Sequence, residues 1–285
     1  MIWLIIAIIA HLFYALVFII DKHVLSRPLP HPKVYAFYIG VLSIMVWVIA
    51  PFGLTAISGF NIVLALLAGL AQVFGLICLY KALNKGDVSS VIPFVGSFVG
   101  LFTLIFSTTL IGESLSAQQL LAFIFLVVGS LIISIKKGHF GKAFGSAVLA
   151  SLFFAFFWVV TKYMFLSLSF VSGIVWVRTA AALFSLGLLI PKKNRELIFK
   201  KTEKLKPKTI KYVFLARILS VFGAMGIYIA VFLGSVTLVN SMQGLQYIFV
   251  LILSFIFLKK IKKDAIPQKI ISIILIFIGL ALLVI

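Results

Sequence analysis

The sequence predicts an all-α integral membrane protein of about ten transmembrane helices, arranged as two inverted five-helix repeats. Three observations carry this. Of the 285 residues, 64% are hydrophobic and 11% charged, whereas a soluble domain is about half apolar and a quarter charged. Apolar stretches of about 20 residues, enough to cross a bilayer as a helix, recur along the whole chain. The two halves also match each other when one is shifted along the other by about 140 to 150 residues.

Lipid offers a backbone no hydrogen-bond partner, so each apolar stretch closes its bonds internally as a helix. The short alternating segments of a membrane β-barrel are absent. Windows bounded by charge, Pro and Gly place spans near 2–20, 34–51, 61–81, 88–110, 117–135, 144–165, 170–190, 211–232, 236–258 and 267–285. The first run lacks a basic flank and a small-residue cleavage site, and reads as a retained helix rather than a signal peptide. Pro93 is expected to interrupt the fourth span. Connections such as 84–87 and 233–235 are short enough to make their helices antiparallel neighbours. The one sizeable polar stretch, near 192–208, reads as a basic cytoplasmic loop, solvated and lying against anionic headgroups.

The repeat is legible residue by residue. Val73-Phe74-Gly75 meets Val221-Phe222-Gly223, Tyr80 meets Tyr228, Gly86 meets Gly234, Lys22 meets Lys162 and Gly129 meets Gly279. The halves divide as 1–138 and 139–285. Each carries five spans, an odd number, so the second enters the membrane from the opposite side. The net charge of +19 would suggest nucleic acid in a soluble protein, but here Lys and Arg crowd the odd-numbered loops, so no nucleic-acid partner is implied. They include Lys22, Arg27 and Lys33; Lys81 and Lys85; Lys136, Lys137 and Lys142; and Lys259, Lys260, Lys262 and Lys263. The positive-inside rule places the odd loops in the cytoplasm and both termini outside the cell membrane.

The segment Leu79-Tyr80-Lys81-Ala82-Leu83 through Ile92-Pro93, then Gly112-Glu113-Ser114-Leu115-Ser116 and a span closing on Gly129, give the chain a family likeness. It resembles the EamA-type family of the drug/metabolite transporter superfamily over nearly its whole length. The resemblance implies a secondary exporter, exchanger or facilitator of small organic metabolites such as amino acids. It also implies a central cavity lined by the first, third, fourth, sixth, eighth and ninth spans. A multidrug exporter and a non-transporting membrane scaffold are the alternatives. The family is often drawn with cytoplasmic termini, whereas the one-sided charge places them outside. Lys259-Lys260 stands where the first half has Gly112-Glu113, so the acidic loop residue has no counterpart.

Candidate functional residues are polar groups inside spans. The six acids, Asp21, Asp87, Glu113, Glu196, Glu203 and Asp264, fall at span ends or in loops, leaving no mid-membrane carboxylate pair for acid/base catalysis. No phosphate-cradling Gly-rich loop occurs, which argues against an ATP-driven pump, while the placement of the acids argues against an enzyme. The single cysteine, Cys78, makes neither a disulfide framework nor a metal spacing, and no cofactor or metal is implied. The implied partners are a small-molecule substrate and the lipid bilayer, and no obligate protein partner is evident.

His11, halfway along the first span and one turn before Tyr14, is either a titrating cavity group or a neutral side chain bonded to a neighbouring helix. Arg178 and Arg217 lie inside spans and either clamp a substrate carboxylate or snorkel, snorkelling being favoured for Arg217 beside the basic loop. Asn240, Gln243 and Gln246 recur at a spacing of three and share a helix face, as a substrate surface or an interhelical glue. Ser89 and Gln72 are weaker candidates of the same sort. Tyr14, Tyr38, Tyr80, Trp158, Trp176 and Tyr228 can line a cavity or pack. Lys162 reads as an interfacial anchor.

Overall fold

The computed structural model describes residues 1–24, 31–134, 141–199, 207–258 and 266–285, and every element among them is helical. The helices are α1 (Ile2–Val24), α2 (Pro32–Val41, continued by a 3-10 segment Leu42–Phe52), α3 (Gly59–Leu83), α4 (Val88–Leu110), α5 (Ala117–Ser134) and α6 (Gly141–Ser167). They continue as α7 (Phe170–Gly187), α8 (Lys192–Ile198), α9 (Pro207–Leu233), α10 (Val236–Ser241), α11 (Gln243–Leu258) and α12 (Ile266–Val284). Ten of the resulting segments are long and apolar enough to cross a membrane, α10 and α11 together making one of them. Odd-numbered loops mark one face of the bundle, here the odd face, and even-numbered loops the other. The side chains of Asp21 and Lys22, and Arg27, Lys136, Lys137, Glu203, Lys259, Lys260, Lys262, Lys263 and Asp264, lie outside the described residues.

The helices begin where the sequence supplies a cap. On the even face, Ser58, Ser169 and Ser235 each accept a backbone N–H of the first turn, at 3.3, 3.2 and 3.0 Å, at the starts of α3, α7 and α10. These bonds satisfy donors that have no partner within the helix.

Packing crosses between the repeats. α1 packs along α9, α3 along α6 and α5 along α12, a pattern with approximate two-fold symmetry. Small residues set the spacing. A Cβ on Gly129 would lie 2.7 Å from Ile276 Cγ1, and one on its repeat partner Gly279 would lie 2.8 Å from Leu126 Cγ. In a membrane, where lipid is as apolar as leucine, such close approach supplies much of the association energy. α7 leaves its own repeat and docks on α2 and α3.

Three expectations are corrected. α4 runs unbroken through Pro93, which lies in its second turn; Ser97 Oγ donates to Pro93 O at 2.9 Å. The ninth span is broken at Met242 rather than continuous. The stretch after Pro191 is not wholly a solvated loop: α8 folds back so that Lys33 Nζ donates to Asn194 Oδ1 at 2.9 Å and Asn194 Nδ2 to Leu188 O at 3.0 Å.

The contact of α3 with α7 gives a test. A Cβ on Gly69 would lie 2.5 Å from Ala181 N, a backbone atom that cannot swing away, whereas one on Gly145 meets nothing within 4 Å. Gly69→Ala is expected to destabilise the purified protein by about 1–3 kcal/mol, read as a lower thermal midpoint in detergent, with Gly145→Ala at the parent value.

Candidate functional site

Polar side chains inside a bundle have to face one another, water or a ligand, because lipid cannot satisfy them. Here they collect around a cavity of about 260 Å³ between the two repeats. His11 and Tyr14 come from α1, Gln72 from α3, Asn240 from α10, and Gln243 and Gln246 from α11. The apolar wall is built by Leu79 of α3, Ile92, Val95 and Val99 of α4, Phe154, Phe157 and Trp158 of α6, Ile227 of α9 and Val239 of α10. These helices are the first, third, fourth, sixth, eighth and ninth spans. No lining residue carries a formal charge apart from the titratable imidazole.

The break at Met242 lies at the heart of this wall. α10 carries Asn240 to the cavity and ties its amide down, Nδ2 donating to Val236 O at 3.0 Å. After the break α11 restarts at Gln243, and two further amides reach the same space. Beside them Tyr228 stands 5.0 Å from Trp158 and 6.3 Å from Phe157, ring centroid to centroid.

Several of these groups lack partners. Among the described residues neither ring nitrogen of His11 makes a hydrogen bond, although the ring leans toward the Val239 backbone. Gln72 Oε1 is equally unpaired, whereas Tyr228 Oη faces the Arg178 guanidinium. Buried polar atoms are nearly always satisfied in native proteins, so such groups ask for a partner such as water or a ligand.

Two of the eight candidates lie off the wall. Ser89 is exposed in the first turn of α4. Arg178 is half-buried on α7, and its charge acts on Tyr14 and Tyr228, which places it behind the cavity's aromatic edge. Of the other residues considered, Arg217 is exposed near the odd end of α9. Tyr38 donates to Ile198 O at 3.4 Å, Trp176 Nε1 to Thr55 O at 3.1 Å, and Tyr80 stacks on Tyr35 at 4.3 Å, so all three serve packing between elements. Lys162 does not merely anchor at the interface: its ammonium donates to Val231 O, Phe232 O and Gly234 O at 2.9, 3.2 and 2.8 Å. Among the described residues no group of three or more His, Cys, Asp or Glu side chains assembles to hold a metal.

The fold and the cavity define a multi-pass helical membrane protein with a solute-sized chamber between two repeats. The chain matches the EamA-like transporter family over residues 1–135 and again over 142–285, and it belongs to that family. It is a membrane transporter. None of the curated proteins matches it in sequence. A solved structure, described only as the crystal structure of a protein, is similar at 14% identity with a TM-score of 0.72, over 99% of this chain and 96% of that one. At that identity the likeness concerns the fold alone.

The unpaired groups give a test of the wall. His11→Leu and Gln72→Leu each remove a buried polar group whose lack of a partner costs about 1–3 kcal/mol. Both variants are expected to keep or raise the thermal midpoint of the ligand-free protein. A fall of several degrees would show that the side chain already has a partner.

Proposed function

We propose that this transporter carries a small organic metabolite of the amino-acid class, as a secondary carrier or facilitator, through the cavity between its repeats. The observation that supports the reading is the wall: aromatic and aliphatic, with one imidazole and four side-chain amides. Its volume of about 260 Å³ falls below the roughly 300–1,000 Å³ of pockets for drug-sized ligands. The wall also carries no carboxylate to hold a cationic drug. Both features favour a small metabolite over a multidrug substrate.

The roles divide by chemistry. Arg178, behind Tyr14, supplies a planar pair of donors suited to a carboxylate. Phe157 and Trp158 offer ring faces to an ammonium. Gln72, Asn240, Gln243 and Gln246 donate and accept without charge, and His11 is the titratable group open to proton coupling. The odd face is cytoplasmic on this reading, since the basic residues gather there.

In vesicles, the reconstituted protein is expected to move an amino acid from a panel offered with and without a proton gradient. Arg178→Lys keeps the charge and loses the fork, so apparent affinity falls. Arg178→Ala loses more, about 10- to 100-fold, since a hydrogen bond to a charged group contributes about 1.5–3 kcal/mol. Unchanged affinity in purified Arg178→Ala removes this residue from the site, and no flux across the panel overturns the substrate class. A flux that needs the proton gradient yet survives His11→Ala excludes His11 as the coupling group.

Orientation has its own measurement. A reporter active only in the cytoplasm is expected to be silent when fused at Ile285 and active within the basic stretch after Lys192. The reverse pattern would invert the assignment.

A further inference from the structure

The cavity reaches toward both faces of the bundle. Ile92 on its wall is about 6 Å into α4 from the odd end, while toward the even face the wall runs to Val239, about one turn into α10, and to Ile227, about 9 Å short of the end of α9. Leu79 likewise lies within about one turn of the odd end of α3. On the even side the cavity wall therefore ends about one turn below the start of α10.

A polar cluster backs that end of the wall. At the end of α9 the last carbonyls lose their helical partners and carry the negative pole of the helix. Lys162, reaching over from α6, donates to three carbonyls there: those of Val231, Phe232 and Gly234. An ammonium has three protons, and each finds an acceptor. Glu113, in the loop after α4, lies within electrostatic reach of Lys162, and its carboxylate accepts a hydrogen bond from Thr237 Oγ1. Thr237 Oγ1 in turn lies 2.7 Å from Ser107 Oγ of α4. Thr237 and Ser107 are both fully buried. The Trp3 ring packs on Gly234, where a Cβ would stand 2.5 Å from Cγ. Ser107 and Glu113 belong to the first repeat, whereas Lys162, Thr237 and the carbonyls belong to the second. Val239 and Asn240 of the cavity wall follow Thr237 within one turn.

We propose that Lys162 is the latch of the even face: a cation tethered to α6 that joins the end of α9 to the field of Glu113, and that has to leave those carbonyls before the cavity opens on that side. The inference rests on the reading that the cavity opens alternately to the two faces. Opening exposes the three carbonyls to water, which can replace the ammonium as their donor. A neutral side chain at this position holds the carbonyls less well and lets the even side open more often.

The test reads exposure rather than transport, so absence of amino-acid flux leaves it standing. Val239→Cys is placed in a Cys78→Ala background and reconstituted in sealed vesicles. An impermeant maleimide is applied from the even face, which is identified by a control cysteine at Gly112. Labelling is expected to be slow with Lys162 present and about tenfold faster or more in Lys162→Gln, the shift that follows from losing a hydrogen bond to a charged group. Lys162→Arg restores the charge and donors and is expected to stay slow. Glu113→Gln, which removes the field but keeps the acceptor for Thr237, is expected to fall between. A folded Lys162→Gln that labels within twofold of the parent overturns the latch, as does Lys162→Arg labelling as fast as Lys162→Gln. Should Lys162→Gln fail to fold, Glu113→Gln combined with Thr237→Val carries the test, and parent-level labelling of that variant overturns the proposal.

Discussion

A peptide carbonyl or amide without a partner costs several kcal/mol in hydrocarbon, since no water is present to take the bond. That constraint makes the chain helical, and it is most demanding where a helix stops or bends within the membrane. At two such places the sequence provides a side chain. Asn240 ties its amide to Val236 O just before the break at Met242. Lys162 covers three carbonyls at the end of α9. The break at Met242 thereby falls on the cavity wall, where polar groups are of use.

The cavity follows from the same accounting. Amides at Gln72, Asn240, Gln243 and Gln246 are costly against lipid, and the packing of α1 on α9 and of α3 on α6 turns them inward together. The aromatic residues of α6 then close the wall with surface that a small solute can displace water from. The wall itself holds no acid, lysine or arginine, and the Arg178 guanidinium is set behind it.

Much of this architecture was legible in the sequence, because hydropathy and the internal repeat report directly on lipid contact. The polar candidates His11, Tyr14, Gln72, Asn240, Gln243 and Gln246 stood out since each is anomalous in a span, and all six line one cavity. Phe154, Phe157, Val95 and Val99 did not stand out: in a chain this apolar, a residue facing a solute looks like one facing lipid. Ser89 is as polar as the others, yet it is exposed in the first turn of α4, off the wall. Lys162 at a span end looked like an anchor, because nothing in the sequence says that α9 ends beside it. The fold of α8 onto α2 was hidden for a similar reason, its charges suggesting solvent while Asn194 and Ile198 pack inward.

α7 belongs by sequence to the second half, yet it is fastened to the first. Its Ser172 hydroxyl takes the Thr55 amide at 2.9 Å, Thr179 accepts from Trp47 Nε1 at 2.9 Å, and Ser185 donates to Ala36 O at 3.4 Å. Gly69 lets its backbone touch α3. Tilting one sequence half as a block against the other would tear these bonds and shear α7 across α2 and α3. Motion that spares them carries α7 along with α2 and α3 and slides it past α6 and α9. The seam along which the molecule can flex is therefore not the seam along which its sequence repeats.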